Sequence, residues 1–193
     1  LHNPGSVFYV RQQQPAGLGH AVWCARHLVG SAPVAVLLAD DLILGASCVK
    51  EMVDAYKGGN MVAVMDVPHE QTGSYGIVTP GADDGRIVQV EGLVEKPDPS
   101  SAPSNIAVVG RYIITPEVFE TLAAQERGAG GEIQLTDALA KQIGKAPFSG
   151  VRFSGERFDC GSKLGFLQAN VAFGLNNDAM RDQLRDWLGE RLG

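Results

Sequence analysis

The sequence predicts one α/β domain built around a mixed sheet. Three features predict it: short apolar runs alternate with helix-spaced apolar residues at the front, a hairpin signature interrupts the middle, and the tail is helical. No internal repeat appears, and no stretch resembles a linker between two domains, so residues 1–193 are expected to form a single domain with C-terminal helices over 163–193.

The elements follow in order. Val7–Val10 is expected as a strand. Leu18–Val29 carries Ala21, Val22, Ala25, Leu28 and Val29 at helical spacing. Pro33–Leu38 is continuously apolar, which predicts a strand buried on both faces of a parallel sheet. Ser47–Tyr56 is amphipathic, with Val49, Met52, Val53 and Tyr56 expected on its apolar face, and Gly58-Gly59 ends it. Met61–Val67 is a further strand. Tyr75–Thr79 and Arg86–Val90 flank Asp83-Asp84-Gly85, a hairpin turn signal. Pro97–Ser104 is a loop rich in Pro and Ser. Ala107–Ile114 is a strand, and Thr115-Pro116-Glu117 then opens a helix, with a capping residue, a first-turn proline and an acid near the positive helix end. The glycine loop Gly128–Gly131 precedes a helix over Ile133–Ile143, with Gly144 at its C-cap. Phe148–Phe153 is a strand, and the tail from Lys163 forms two helices broken near Asn176-Asn177.

Composition narrows the function classes. A formal net charge of -6 argues against a protein that wraps nucleic acid, which usually shows a basic stripe. It leaves nucleotide binding open, since that needs only local cations and backbone N–H groups. The three cysteines, Cys24, Cys48 and Cys160, are odd in number and widely spaced, which predicts neither a disulfide framework nor a thiolate zinc site and points to the cytoplasm. No apolar run approaches the roughly 18 residues of a membrane span, and His69-Glu70 lacks the second histidine of a zincin helix. The chain starts at Leu1 rather than Met, and it reads as the interior of a longer protein.

In open α/β sheets ligands gather at the carboxyl ends of strands. Four stretches qualify. In Val10–Val22, V-R-Q-Q-Q-P-A-G-L-G-H-A-V, Gly17 and Gly19 permit close backbone approach, and Gln12 can both donate and accept, which suits a nucleobase edge. A plain glycine turn explains the same loop. In Val34–Ile43, Asp40 and Asp41 follow an apolar strand and can offer carboxylate to Mg²⁺; a helix cap or solvated turn is the equal alternative. In Val94–Pro97, V-E-K-P, Glu95 can take a sugar hydroxyl and Lys96 a phosphate, against the commoner reading of a surface ion pair. In Phe158–Gly165, Asp159 is a second metal carboxylate or a helix cap, and Cys160 beside it has no evident base, so it is read as a packed residue rather than a nucleophile.

The order of these stretches is more specific than any one. G-L-G-H-A, L-L-A-D-D-L-I, S-Y-G-I-V, V-E-K-P, S-N-I-A-V-V-G-R-Y, G-E-I-Q-L-T-D-A and D-C-G-S-K-L-G together closely resemble the bacterial UTP–glucose-1-phosphate uridylyltransferases, from about Val7 to the C-terminal helices. The resemblance implies a Rossmann-like nucleotidyltransferase fold whose mixed sheet is mostly parallel. It implies formation of UDP-glucose and pyrophosphate from UTP and glucose 1-phosphate, with Mg²⁺. By position, Gln12 and Gly17 match residues at the uracil, Asp40 and Asp159 the two magnesium aspartates, and Gly76, Glu95 and Lys96 residues around glucose 1-phosphate, with Lys96 on its phosphate. Asn105 and Val109 fall in the stretch lining the sugar pocket, and Asp41 falls behind the metal rather than on it. Ala39 stands where many relatives have proline.

The family's opening loop, G-x-G-T-R-x-x-P, has no counterpart here. The chain is therefore expected to lack the N-terminal phosphate-loop segment, to turn over little by itself, and to self-associate through the sheet edge and core that segment would cover. Two other readings fit the same residues. One is a glycosyltransferase of related fold, suggested by the adjacent Asp40-Asp41, in which V-E-K-P has no obvious role. The other is a non-catalytic module that binds nucleotide sugar.

Overall fold

The computed structural model describes residues 5–193. A six-stranded sheet runs β1 (Val34–Leu37), β6 (Ile106–Ile114), β3 (Asn60–Asp66), β7 (Phe148–Arg152), β5 (Ile87–Glu95), β4 (Gly76–Asp83), and β4 also meets β6 at Ile77↔Ala107. A separate ribbon pairs β2 (Asp41–Leu44) with β8 (Glu156–Asp159). The helices are α1 (Leu18–Cys24), α2 (Cys48–Ala55), α3 (Pro116–Leu122), α4 (Leu135–Ala140), α5 (Lys163–Leu175) and α6 (Arg181–Leu192).

The mixed sheet is as expected; its predominant direction is not. Only β3–β7 is parallel among the ladders of the described residues, and the rest are antiparallel. The reason lies in the insertion. Parallel neighbours need a crossover, usually a helix, whereas β6 follows the β4–β5 hairpin through a loop with only the short 3₁₀ turn Pro99–Ser101.

Strand alternation sorts the core onto two faces. On β6, Ile106, Val108, Tyr112 and Ile114 join Val22 of α1, Val118 and Leu122 of α3, and Leu135 and Leu139 of α4. Val109 and Ile113 point the other way, against Cys48 and Met52 of α2. Side chains buried on both faces explain the long apolar runs of β3 and β6.

Several expected elements change. Val7–Val10 is exposed and in no strand, because it has no ladder partner among the described residues. The β1 run is not buried on both faces: it is the sheet's edge, and Leu37 is 52% exposed. In α2, Ser47 caps as its position suggests, accepting from Lys50 N at 3.3 Å. Its buried stripe, however, runs through Cys48 and Met52, and Val53, about 100° further round the helix, is turned to solvent. The predicted first helix ends at Cys24 and continues as a 3₁₀ turn over Arg26–Leu28. The hairpin turn forms as expected, with Asp84 Oδ1 accepting from Ile87 N at 2.7 Å and Arg86 N at 2.9 Å. No helix of the described residues is long and apolar enough to cross a membrane.

Candidate functional site

The β2–β8 ribbon brings together two aspartates that are far apart in the chain. Asp41 is directly opposite Asp159, so Asp40, one residue earlier, lies just beyond the end of β8. Asp40 O accepts from Cys160 N at 2.8 Å, which fixes the two chain segments side by side. A methyl group built on Gly161 would lie 3.0 Å from Asp159 Oδ1 and 3.4 Å from Asp40 Oδ2. Asp159 Oδ1 accepts from Gly161 N at 3.0 Å, and both carboxylates, each exposed, lie within reach of one point above Gly161.

Asp41 points inward instead. It is 5% exposed, its Oδ2 accepts from Gly110 N at 2.7 Å, and its Oδ1 pairs with Arg157 Nε. A side chain on Gly110 would collide with this carboxylate, which accounts for glycine in the middle of β6. Arg157 extends the network: Nη1 donates to Tyr75 Oη at 3.2 Å, and Nη2 lies 4.0 Å from Asp159 Oδ2. Burial acts against its charge, but the bonds to Asp41 and Tyr75 hold its pKa above the ordinary value.

A second cluster forms at the end of the hairpin. Gly76 pairs across the ladder with Glu95. Thr136, from the first turn of α4, donates its hydroxyl to Glu95 Oε2. A methyl on Gly76 would stand 2.8 Å from Thr136 Cγ2 and 3.2 Å from Glu95 Oε2, so glycine leaves room for this contact. Lys96 has φ 47°, in the left-handed region that non-glycine residues rarely adopt. Its backbone N donates to Tyr75 O at 2.9 Å, and its Nζ lies 3.9 Å from Glu95 Oε1 with the side chain half exposed.

Tyr75 links the clusters, holding Lys96 through its carbonyl and Arg157 through its hydroxyl. Tyr112 senses both. Burial first, then the carboxylates of Glu95, Asp41 and Asp40, push its phenol above the usual range, with Arg157 acting in the opposite sense. A groove of about 730 Å³ passes Asp159, Arg157 and Tyr75 and is floored by Leu167 and Val171 of α5.

The Val10–Val22 stretch docks on the chain itself. Gly17 has φ 111°, and a methyl there would lie 2.7 Å from Ile133 O; one on Gly19 would lie 2.8 Å from the same atom. Gly19 N donates to Ile133 O and Ile133 N to Ala16 O, each at 2.8 Å. These glycines thus let α1 press against Glu132–Gln134. Gln12 folds back over the loop, with Nε2 donating to Gly17 O at 3.0 Å and standing 2.9 Å from His20 Nδ1.

The last two expected residues separate. Asn105 is exposed beside His69, with Oδ1 3.0 Å from Nδ1. Val109 does not line a pocket with its side chain: it is 2% exposed in the core against α2, because alternation along β6 sends it to the face opposite Val108. Among the described residues no point gathers three or more His, Cys, Asp or Glu side chains. The Asp40–Asp159 pair suits Mg²⁺, which takes one or two carboxylates and leaves its remaining positions to phosphate and water.

Sequence reasoning missed Arg157, Tyr75 and Thr136. Arg157 is two residues before Asp159 on one strand, hence on the same face, but β8 is too short to read as a strand. Thr136 lies in G-E-I-Q-L-T-D-A, a stretch noticed only as a whole.

Known proteins bear on this arrangement. The profile of the nucleotidyl transferase family matches residues 4–174. A UTP–glucose-1-phosphate uridylyltransferase of Komagataeibacter xylinus is 50% identical over 188 residues, 96% of this chain and 64% of that protein. A UDP-glucose pyrophosphorylase solved with UDP-glucose superposes with a TM-score of 0.84 at 39% identity, over 88% of this chain and 66% of that one. A UTP-bound enzyme of the same kind from Acinetobacter baumannii gives a TM-score of 0.83 at 37% identity, over 94% and 64%. The chain thus spans a little under two thirds of the length of these relatives.

Proposed function

The chain belongs to the nucleotidyl transferase family, and on that premise we propose that the protein makes UDP-glucose and pyrophosphate from UTP and glucose 1-phosphate. The observation that carries this reading is the convergence of Asp40 and Asp159 over Gly161, joined through Arg157 and Tyr75 to Glu95 and Lys96. The relatives solved with UDP-glucose and with UTP support the choice of nucleotide and sugar.

In this reading an oxygen of the sugar phosphate attacks the α-phosphorus of UTP, the bond to the β-phosphate breaks, and pyrophosphate leaves. No protein nucleophile is needed, so the chain's part is positioning and charge. Lys96 orients the attacking phosphate. Glu95, held by Thr136, takes a glucose hydroxyl with Gly76 beside it, and Asn105 is assigned to that subsite by its position in the sequence alone. Val109 could contribute only backbone there. Gln12 and Gly17 receive the uracil. Asp40 and Asp159 would hold Mg²⁺, which when bound neutralises phosphate charge and favours the approach of the two anions. Arg157 keeps Asp159 in place and fixes Asp41 away from the ion.

That last point also weighs against glycosyl transfer. The alternative rested on Asp40 and Asp41 acting as neighbours, and Asp41 is committed to Gly110 and Arg157. We further propose that residues 1–193 act as one domain and work in the cytoplasm, where a reducing medium preserves three free thiols. A second copy would cover exposed apolar residues of α5, of which Leu164 and Phe166 are 67% and 52% exposed. Light scattering that finds only monomer at high concentration would count against that assembly.

The test of function is calorimetric titration with UDP-glucose, with and without Mg²⁺. Binding that is tighter with Mg²⁺ in the native chain, and insensitive to Mg²⁺ in Asp159→Asn, is expected. Binding of neither UDP-glucose nor UTP under any condition would overturn the assignment.

A further inference from the structure

The Gln12 amide is held by two acceptors on the same side. Its Nε2 donates one hydrogen to Gly17 O at 3.0 Å, and His20 Nδ1 is 2.9 Å from the same nitrogen. An amide NH₂ has two hydrogens and no lone pair to give. Nδ1 must therefore accept, which makes His20 neutral with its proton on Nε2, the ring nitrogen 3.9 Å from Cys24 Sγ. Turning the amide over would face Gln12 Oε1 against the Gly17 carbonyl, two acceptors without a proton between them. The ring itself is held by stacking on Trp23, with centroids 6.1 Å apart.

Both amide hydrogens are thus spent on the protein. Oε1 remains, with no hydrogen bond among the described residues, and it can only accept. We infer that His20 is a positioning residue for base specificity: by accepting from Gln12 it presents Oε1 as a lone acceptor, which selects a base bearing a ring N–H, as uracil does at N3, and rejects cytosine, whose N3 is itself an acceptor. The inference rests on the reading of Gln12 as a uracil contact and adds the residue that makes that contact selective. It explains why a side chain able to bind either edge is confined to one.

Two measurements test it. Nitrogen-15 NMR of the free native chain reads the His20 tautomer without any ligand. The Nε2–H form is expected, and the Nδ1–H form would overturn the inference. Calorimetry then compares UDP-glucose with CDP-glucose in the native chain, His20→Phe and His20→Asn. Asparagine keeps an acceptor near the Nδ1 position; phenylalanine keeps the ring and loses it. The preference for uridine is expected to fall about tenfold in His20→Phe, the scale of one hydrogen bond, and to survive in His20→Asn. An unchanged preference in folded His20→Phe would overturn the inference while leaving the proposed function intact. Absence of binding to both nucleotides in the native chain would instead sink the functional reading, and the tautomer would still decide the Gln12 geometry.

Discussion

Arg157 and Asp41, on facing strands of the β2–β8 ribbon, form an ion pair buried to 11% and 7% side-chain exposure, directly behind the exposed carboxylates of Asp40 and Asp159. Removing one partner leaves a charge without compensation in a dry site. Arg157→Met is expected to cost about 3–5 kcal/mol of stability, read from urea unfolding. Asp159→Asn, by contrast, removes an exposed carboxylate and should leave the unfolding midpoint nearly unchanged.

Lys96 combines a left-handed backbone with the charge proposed to meet the sugar phosphate. Glycine relieves the strain, and alanine does not. Lys96→Gly is therefore expected to fold at least as stably as Lys96→Ala in thermal melts. Both substitutions should reduce turnover of the complete enzyme about 10²–10³-fold, the scale of a lost electrostatic donor. Near-normal turnover in either variant would remove Lys96 from the mechanism.

Gly17 and Gly19 are packed against Ile133 O. Alanine at either site forces α1 away from Glu132–Gln134, and a loss of about 1–3 kcal/mol is expected from overpacking. Differential scanning calorimetry checks it. At Gly17 the positive φ adds to the cost, so Gly17→Ala should be the worse of the two when packing is otherwise similar.

Burial raises the Cys48 thiol to about 11 from an ordinary 9.0, with Arg111 opposing and Glu51 adding to the rise. The folded state holds this proton more tightly than the unfolded chain. The associated stability is therefore complete below pH 9 and is lost as pH climbs from 9 toward 11. Tyr112, also raised by burial, acts in the same direction. Denaturation midpoints measured across that range should fall more steeply in the native chain than in Cys48→Ala.

Thr136→Val keeps the shape of the side chain and removes the donor to Glu95. Affinity for glucose 1-phosphate is expected to drop about tenfold, with UTP affinity unchanged. An equal loss for both ligands would mean that α4 had shifted as a whole.

Much of this was legible in the chain. The β4–β5 hairpin could be read because Asp83-Asp84-Gly85 is a local signal, and the two C-terminal helices because their break falls at Asn176-Asn177. Long strands such as β6 were found because burial on both faces makes them apolar throughout. The ribbon was not: β2 and β8 have four residues each, too few for periodicity, and each finds its partner more than a hundred residues away. Strand direction was lost for a similar reason, since apolar runs carry no sign. Asp40, Asp159, Glu95 and Lys96 stand out by type and order, but the contacts of Arg157 with Asp159, Thr136 with Glu95 and His20 with Gln12 are supplied only by the folded chain. Val109 and Val53 failed because one residue of offset reverses a strand face or swings a helix position out of its stripe.

The ribbon has a mechanical consequence. Asp159 closes β8, and α5 begins only four residues later, at Lys163, capped by Ser162 through Gly165 N at 2.9 Å. The tail therefore starts from a site carboxylate, and because Asp40 O accepts from Cys160 N at 2.8 Å, a load on α5 from a fused tag or a neighbouring molecule would reach both strands of the ribbon together.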